Sequence, residues 1–239
     1  MNTENTFIID GSPIPFEPGQ TVLEAALKAD VFIPHLCYFP GLRPNGNCKL
    51  CTISINGKHS SACTTLARPG SEIENNTPAL NDKRRLMLQM LFVEGNHFCP
   101  GCEKSGNCQL QALAYELEMM TPHFNHFFPN RKVDASHPEA FLDMNRCITC
   151  GLCVQASRDV DKKNIFILSG RGMASHVVIN SPSGNLGDSD FSMSDKAASV
   201  CPVGAILPKH RGYSVPIGKR LYDGVPISSQ TEFLKTRKA

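Results

Sequence analysis

Eleven cysteines occur in this chain of 239 residues, and they fall into three separated groups. Cys37, Cys48, Cys51 and Cys63 form the first, Cys99, Cys102 and Cys108 the second, and Cys147, Cys150, Cys153 and Cys201 the third. Thiolates are soft ligands, and each group contains a Cys-x2-Cys pair that can wrap two sulfurs around one metal centre. The pairs sit among Gly, Pro and Asn, in Pro44-Asn-Gly-Asn-Cys48, Cys99-Pro-Gly-Cys102 and Cys150-Gly-Leu-Cys153. A sulfide-bridged iron cluster is negatively charged, and turning backbone N–H groups towards it needs the conformational freedom of glycine. The odd count excludes a closed set of intramolecular disulfides that uses every cysteine.

Spacing separates the chemistry of the three groups. Cys147-x2-Cys150-x2-Cys153 lets three thiolates take one side of a cubane, and the distant Cys201-Pro202 supplies the fourth, so this set fits one 4Fe–4S cluster. A zinc site favours two separated pairs instead. Cys37-x10-Cys48-x2-Cys51-x11-Cys63 gives the four thiolates of a 2Fe–2S rhomb, although four such cysteines alone also suit zinc. Cys99-x2-Cys102-x5-Cys108 is one ligand short. His97, two residues before Cys99, is the nearest donor, with His123, His126 or water as competitors. Three four-ligand clusters need twelve ligands, and eleven cysteines plus His97 supply them. A neutral imidazole in place of a thiolate makes a cluster less negative and raises its potential. His35, His59, His137, His176 and His210 read as structural or surface residues.

The elements that must carry these ligands divide the chain into modules. Residues 1–78 read as a β-grasp domain. Thr6–Asp10 and Pro13–Glu17 flank an Asp10-Gly-Ser turn, and Thr21-Val-Leu-Glu24 is a capping box opening a helix to about Asp30. Cys51–Ile55 alternates as a strand, Asn56-Gly57 is a hairpin turn, and His59–Thr65 returns. Residues 79–120 are helical. Asn81 or Asp82 is the expected cap of a helix with apolar Leu86, Met87, Met90, Leu91 and Val93, ending at Gly95. A second helical pattern runs Cys108–Met120. Residues 121–140 lack periodicity and read as a connection. Residues 141–208 open on the cysteine triplet, continue into a short helix to Gln155–Arg158 and two strands, Asn164–Leu168 and Ser175–Ile179, and close on Cys201-Pro202. Residues 209–239 carry Lys209, Arg211, Lys219, Arg220, Lys235, Arg237 and Lys238 and read as a docking tail. The fold class is α+β: a 2Fe–2S ferredoxin-like β-grasp domain, a helical His/Cys3 module and a 4Fe–4S ferredoxin-like domain.

Composition narrows the function classes. The formal charge is only +2, and stacking aromatics are sparse in the basic tail, so nucleic acid is not the expected partner. Nothing at Met1–Asp10 reads as a secretory signal, and no stretch has the roughly 18–20 consecutive apolar residues of a membrane span. Free thiols in this number fit a reducing, cytoplasmic setting. No Gly-x-Gly-x-x-Gly fingerprint occurs, and no cysteine is left over for nickel.

The ordered set of motifs resembles the N-terminal iron–sulfur region of the large peripheral subunit of respiratory complex I. Iron-only hydrogenases share its first two motifs. The chain stops soon after Cys201, without the further domains of those proteins, and to about residue 208 it most resembles the diaphorase iron–sulfur (gamma) subunits of cytoplasmic NAD-reducing nickel–iron hydrogenases. Glu94-Gly-Asn-His-Phe-Cys-Pro-Gly-Cys-Glu-Lys-Ser-Gly-Asn-Cys-Gln-Leu-Gln111 carries that likeness. The complex I pattern places three residues between the histidine and the first cysteine, whereas Phe98 alone stands between His97 and Cys99. The resemblance implies an electron-transfer subunit without catalytic residues of its own. FMN, NAD and nickel–iron would reside on partners: a flavin/NAD-binding diaphorase subunit, and the hydrogenase small and large subunits. It also implies an order, with the 2Fe–2S site nearest the flavin, then the Cys147/Cys150/Cys153/Cys201 cluster, then the His97 cluster. An NAD-linked formate dehydrogenase or a complex I-like enzyme would use an equivalent subunit; a zinc-stabilised interaction module is the alternative of a different class.

Overall fold

The computed structural model describes residues 5–236, so Met1–Glu4 and the basic Arg237 and Lys238 lie outside the described residues. The N-terminal sheet contains β1 (Thr6–Ile9), β2 (Ser12–Pro15), β3 (Thr52–Ile55), β4 (Lys58–Ser61) and β5 (Glu72–Glu74), ordered β2-β1-β5-β3-β4. Two tight turns set its hairpins. Asp10 and Gly11 join β1 to β2 with φ of +48° and +81°, and Asn56 and Gly57 join β3 to β4 with φ of +49° and +75°. Left-handed pairs of this kind match the twist of the strands they connect. The central β5 pairs parallel to β1 and antiparallel to β3. It escapes sequence reading because it is three residues long with one inward apolar side chain, Ile73.

Helix α1 (Val22–Lys28) packs Val22, Leu23, Ala26 and Leu27 into the core beneath this sheet. Its capping box is complete: the Thr21 hydroxyl accepts from the Glu24 N–H at 3.2 Å, and Glu24 Oε2 accepts from the Thr21 N–H at 2.8 Å. It ends with Asp30 left-handed at φ +61° and the Val31 N–H donating to the Ala26 carbonyl at 2.8 Å, a Schellman close.

Helix α2 (Pro78–Val93) starts earlier than its apolar pattern predicts. Thr77 is the N-cap, accepting from Leu80 N–H, and Pro78 takes the first helical position, where its missing N–H costs nothing. Asn81 and Asp82 therefore lie inside the helix. Leu86, Met87 and Met90 face outward, while Leu80, Arg84, Leu88, Gln89 and Val93 are buried. Helix α3 (Gln109–Glu116) buries Leu110, Leu113 and Ala114 as its periodicity predicts.

A second sheet holds β6 (Val133–Asp134), β7 (Ala140–Asp143) and β10 (Ile206–Pro208), in the order β10-β7-β6. Its edge strand β6 thus comes from the stretch read as an irregular connection. Strands β8 (Phe166–Ser169) and β9 (His176–Ile179) form a hairpin. The short α4 (Leu152–Gln155) widens into a π-turn over Ala156–Val160, and α5 (Lys196–Ser199) precedes Cys201. The tail returns across the molecule. The Tyr222 N–H donates to the Gly106 carbonyl at 2.9 Å, Ile227 is buried, and α6 (Thr231–Thr236) lies on α1. There Thr231 Oγ1 and Lys235 Nζ meet the Asp30 carboxylate at 2.8 and 2.7 Å. Among the described residues, no helix is long and apolar enough to cross a membrane.

Candidate iron–sulfur sites

The first group of cysteines converges on one buried spot. Cys37 ends the loop after α1, Cys48 and Cys51 flank a reversal in which Lys49 has φ +56°, and Cys63 follows β4. All four are buried. The Cys48 N–H points at Cys37 Sγ at 3.4 Å, and the Ala62 N–H beside Cys63 reaches the Cys51 carbonyl at 2.9 Å. The Cys37 thiol hydrogen-bonds with Cys48 and Cys63, and Cys51 with Cys63. Those bonds draw Cys37 and Cys51 below the ordinary thiol range and push Cys48 and Cys63 above it. Four buried thiols, coupled in pairs, form a donor set that a cationic centre would deprotonate together.

The second group wraps a tight turn. Cys99–Gly101 forms a 3-10 turn, the Cys102 N–H returns to the Cys99 carbonyl at 3.2 Å, and Cys108 stands at the N-cap of α3. His97 lines the same cavity as these three sulfurs, with Phe92 and Arg146. Its Nε2 is sealed from solvent and has no hydrogen-bond partner among the described residues. Burial, helped by Arg146 and Arg131, pushes its pKa down to about 4, so the imidazole is neutral with a lone pair to give. His123 and His126 are exposed, and His126 stacks on Phe128. Burial raises the Cys99 thiol, and raises Cys108 to about 12. An orphaned buried nitrogen and three thiols lining one cavity suit a metal cluster.

The third group surrounds an otherwise apolar cavity lined by Cys147, Cys150, Cys153 and Cys201 together with residues such as Leu142 and Phe166. Thr149, at φ +53°, directs its N–H to Cys147 Sγ at 3.4 Å, and Gly151, at φ +78°, opens α4. Burial pushes the Cys147, Cys150 and Cys153 thiols upward. Among the described residues, no group of three or more His, Cys, Asp and Glu side chains is arranged to hold a single metal ion.

Sequence reading missed the residues that join the sites. Asn47, next to Cys48, donates its amide to the Cys150 carbonyl at 3.4 Å. The Gln109 N–H, next to Cys108, donates to the Pro202 carbonyl, next to Cys201, at 2.9 Å. Arg146, next to Cys147, reaches Cys102 Sγ at 3.6 Å. Each neighbours a cysteine in sequence, but only the fold says which other site it meets. The remaining histidines are structural or superficial: His35 bonds the Ile33 carbonyl, His137 the Phe191 carbonyl, His59 contacts Lys83, and His176 and His210 are exposed.

The chain is similar to known proteins along most of its length. Residues 2–78 match the 2Fe-2S iron-sulfur cluster binding domain, residues 84–123 the NADH-ubiquinone oxidoreductase-G iron-sulfur binding region, and residues 141–207 the 4Fe-4S single cluster domain. The chain is 41% identical to the gamma subunit of the NAD-reducing hydrogenase HoxS of Cupriavidus necator, over 90% of this chain and 92% of the relative. It is 29% identical to the mitochondrial NADH-ubiquinone oxidoreductase 78 kDa subunit of Neurospora crassa, over 84% of this chain but only 27% of that longer protein. A chain in the crystal structure of an NAD+-reducing [NiFe]-hydrogenase in the H2-reduced state superposes with a TM-score of 0.91 at 50% identity, covering 94% of this chain and 96% of that one.

Proposed function

Because the chain belongs to the family of iron–sulfur gamma subunits of NAD-reducing hydrogenases, electron-transfer subunits of an oxidoreductase, we propose that it carries one 2Fe–2S and two 4Fe–4S clusters between a flavin/NAD(H) subunit and the hydrogenase subunits. In this reading Cys37, Cys48, Cys51 and Cys63 hold the 2Fe–2S cluster. His97, Cys99, Cys102 and Cys108 hold one 4Fe–4S cluster, and Cys147, Cys150, Cys153 and Cys201 the other. When bound, such clusters take up and release single electrons. The protein's work is to exclude water, fix the ligands and set the distances between sites. FMN, NAD and nickel–iron belong to the partners, and the complex works in the cytoplasm. The modules divide at residues 1–78, 79–120, 121–140, 141–208 and 209–239, with the last serving as the docking tail.

The sealed, unpartnered Nε2 of His97, in one cavity with Cys99, Cys102 and the buried Cys108, is the observation that carries this assignment. The links from Asn47 to Cys150 and from Gln109 to Pro202 support a middle place for the Cys147/Cys150/Cys153/Cys201 cluster. Two arms test the reading. His97→Ala and His97→Cys are expected to change the EPR signal or potential of one 4Fe–4S cluster and leave the other two clusters alone; unchanged spectra in both variants contradict His97 ligation. A tagged chain is expected to copurify with a flavoprotein and hydrogenase subunits. Recovery with a formate dehydrogenase or a quinone-reducing complex instead would reassign the partner.

A further inference from the structure

Arg146 lies between the two candidate 4Fe–4S sites. It directly precedes Cys147, yet its guanidinium turns to the other site and lines the cavity of His97, Cys99, Cys102 and Cys108. Nη1 meets Cys102 Sγ at 3.6 Å, Glu103 Oε2 at 2.9 Å and the Gly204 carbonyl at 3.5 Å, while Nε pairs with Asp143 at 2.9 Å. The side chain is 17% exposed, and the Asp143 side chain 12%, so little water screens them. Two carboxylates fix the fork, and the Nη1 that Glu103 holds also faces the sulfur. Arginine suits this place because its planar fork stays charged and meets several acceptors in fixed directions.

An N–H···S bond to a thiolate ligand, with a half-buried cation behind it, stabilises the more negative, reduced form of a cluster. We propose that Arg146 is a positioning residue that holds Cys102 and raises the reduction potential of the cluster bound by His97, Cys99, Cys102 and Cys108. The proposal rests on the reading that those four residues hold a cluster. Arg146, Asp143 and Glu103 together carry one net negative charge. Removing the guanidinium leaves two carboxylates beside the sulfur, and neutralising Glu103 removes one while Asp143 still holds the arginine.

The test is an EPR-monitored redox titration of the anaerobically purified complex carrying Arg146→Met, Arg146→Lys or Glu103→Gln, with iron and zinc counted in each sample. Arg146→Met is expected to retain wild-type iron and to lower the reduced-to-oxidised ratio of one 4Fe–4S signal about tenfold at fixed ambient potential, about 59 mV for a one-electron couple. Arg146→Lys should recover part of that loss, and Glu103→Gln should move the same signal the opposite way. The other two clusters should keep their potentials. Unshifted signals at full iron content overturn the proposal, as do shifts of the same sign in the Met and Gln variants, which a packing role alone would give. If Arg146→Met loses its iron, Glu103→Gln decides: an upward shift supports the proposal and no shift overturns it. Zinc in place of iron in the unmutated complex overturns the cluster reading itself, so the two failures are distinguishable.

Discussion

At the residue scale, the sites are legible in sequence where spacing alone fixes proximity. Cys-x2-Cys pairs must lie close together, and three cysteines without a fourth direct attention to His97. Proximity between groups is not legible, because it depends on how separate modules pack. Gly204 shows the difference. It belongs to the Cys201-Pro-Val-Gly motif, yet a β-carbon there would lie 2.9 Å from Cys102 Sγ, 3.1 Å from Lys104 Cβ and 3.6 Å from Arg146 Nη1. Its backbone needs no left-handed conformation, so the requirement is for space alone. Gly204→Ala is therefore expected to perturb the EPR signal of the cluster bound through Cys102 before that of the cluster bound through Cys201. A change confined to the Cys201 cluster would show that the packing between the two sites is not as described.

At the element scale, local signals predict the parts that local interactions build. The Thr21/Glu24 capping box and the Asn56-Gly57 turn are present because each is satisfied within a few residues. Helix α2 departs from its apolar pattern because a polar residue decides which face is buried. The Arg84 guanidinium, in a residue 2% exposed, donates to the carbonyls of Leu50, Thr52 and Asn75 and to the side-chain oxygens of Asn75 and Asn81, at 2.7 to 3.1 Å. Leu50 and Thr52 flank Cys51, so this one side chain ties α2 to the first cysteine site. Burial lowers the Arg84 pKa only to about 10, so it stays charged at neutral pH. Arg84→Met should leave three carbonyls unpaired, cost about 3 kcal/mol in denaturant unfolding, and weaken the 2Fe–2S signal before the others. A loss below about 0.5 kcal/mol, the range of ordinary surface changes, would contradict that role. A second prediction concerns β6. Burial alone would raise the Asp134 carboxyl, but hydrogen bonds from the hydroxyl and N–H of Ser136 and the N–H of Leu186 outweigh it and lower its pKa. A carboxyl depressed on folding adds stability above its unfolded value near 4, and that stability is lost as pH falls through the folded value. Asp134→Asn should destabilise by about 1–2 kcal/mol at neutral pH, with the gap to the unmutated protein closing in acid. A gap independent of pH would contradict the hydrogen-bonding role.

At the scale of the whole molecule, the three sheets and the helices between them share one continuous set of buried apolar residues running from Phe7 to Leu234. Composition predicts a solvated or partner-docking tail, but the basic count does not reveal that Ile227 and Leu234 are buried or that Asp30 receives Lys235 and Thr231. Those contacts pair residues some 200 positions apart and leave no periodic trace. The tail thus braces the middle module and the β-grasp domain from outside, while Asn47, Gln109 and Arg146 join the cysteine sites from within. Bound metal centres add folding energy beyond what apolar burial supplies. Everything proposed for the three sites depends on those centres being iron–sulfur clusters. The most direct measurement is iron, zinc and acid-labile sulfide on the same anaerobically purified chain. About ten iron atoms with matching sulfide and negligible zinc are expected for one 2Fe–2S and two 4Fe–4S clusters; stoichiometric zinc with negligible iron and sulfide would contradict that assignment.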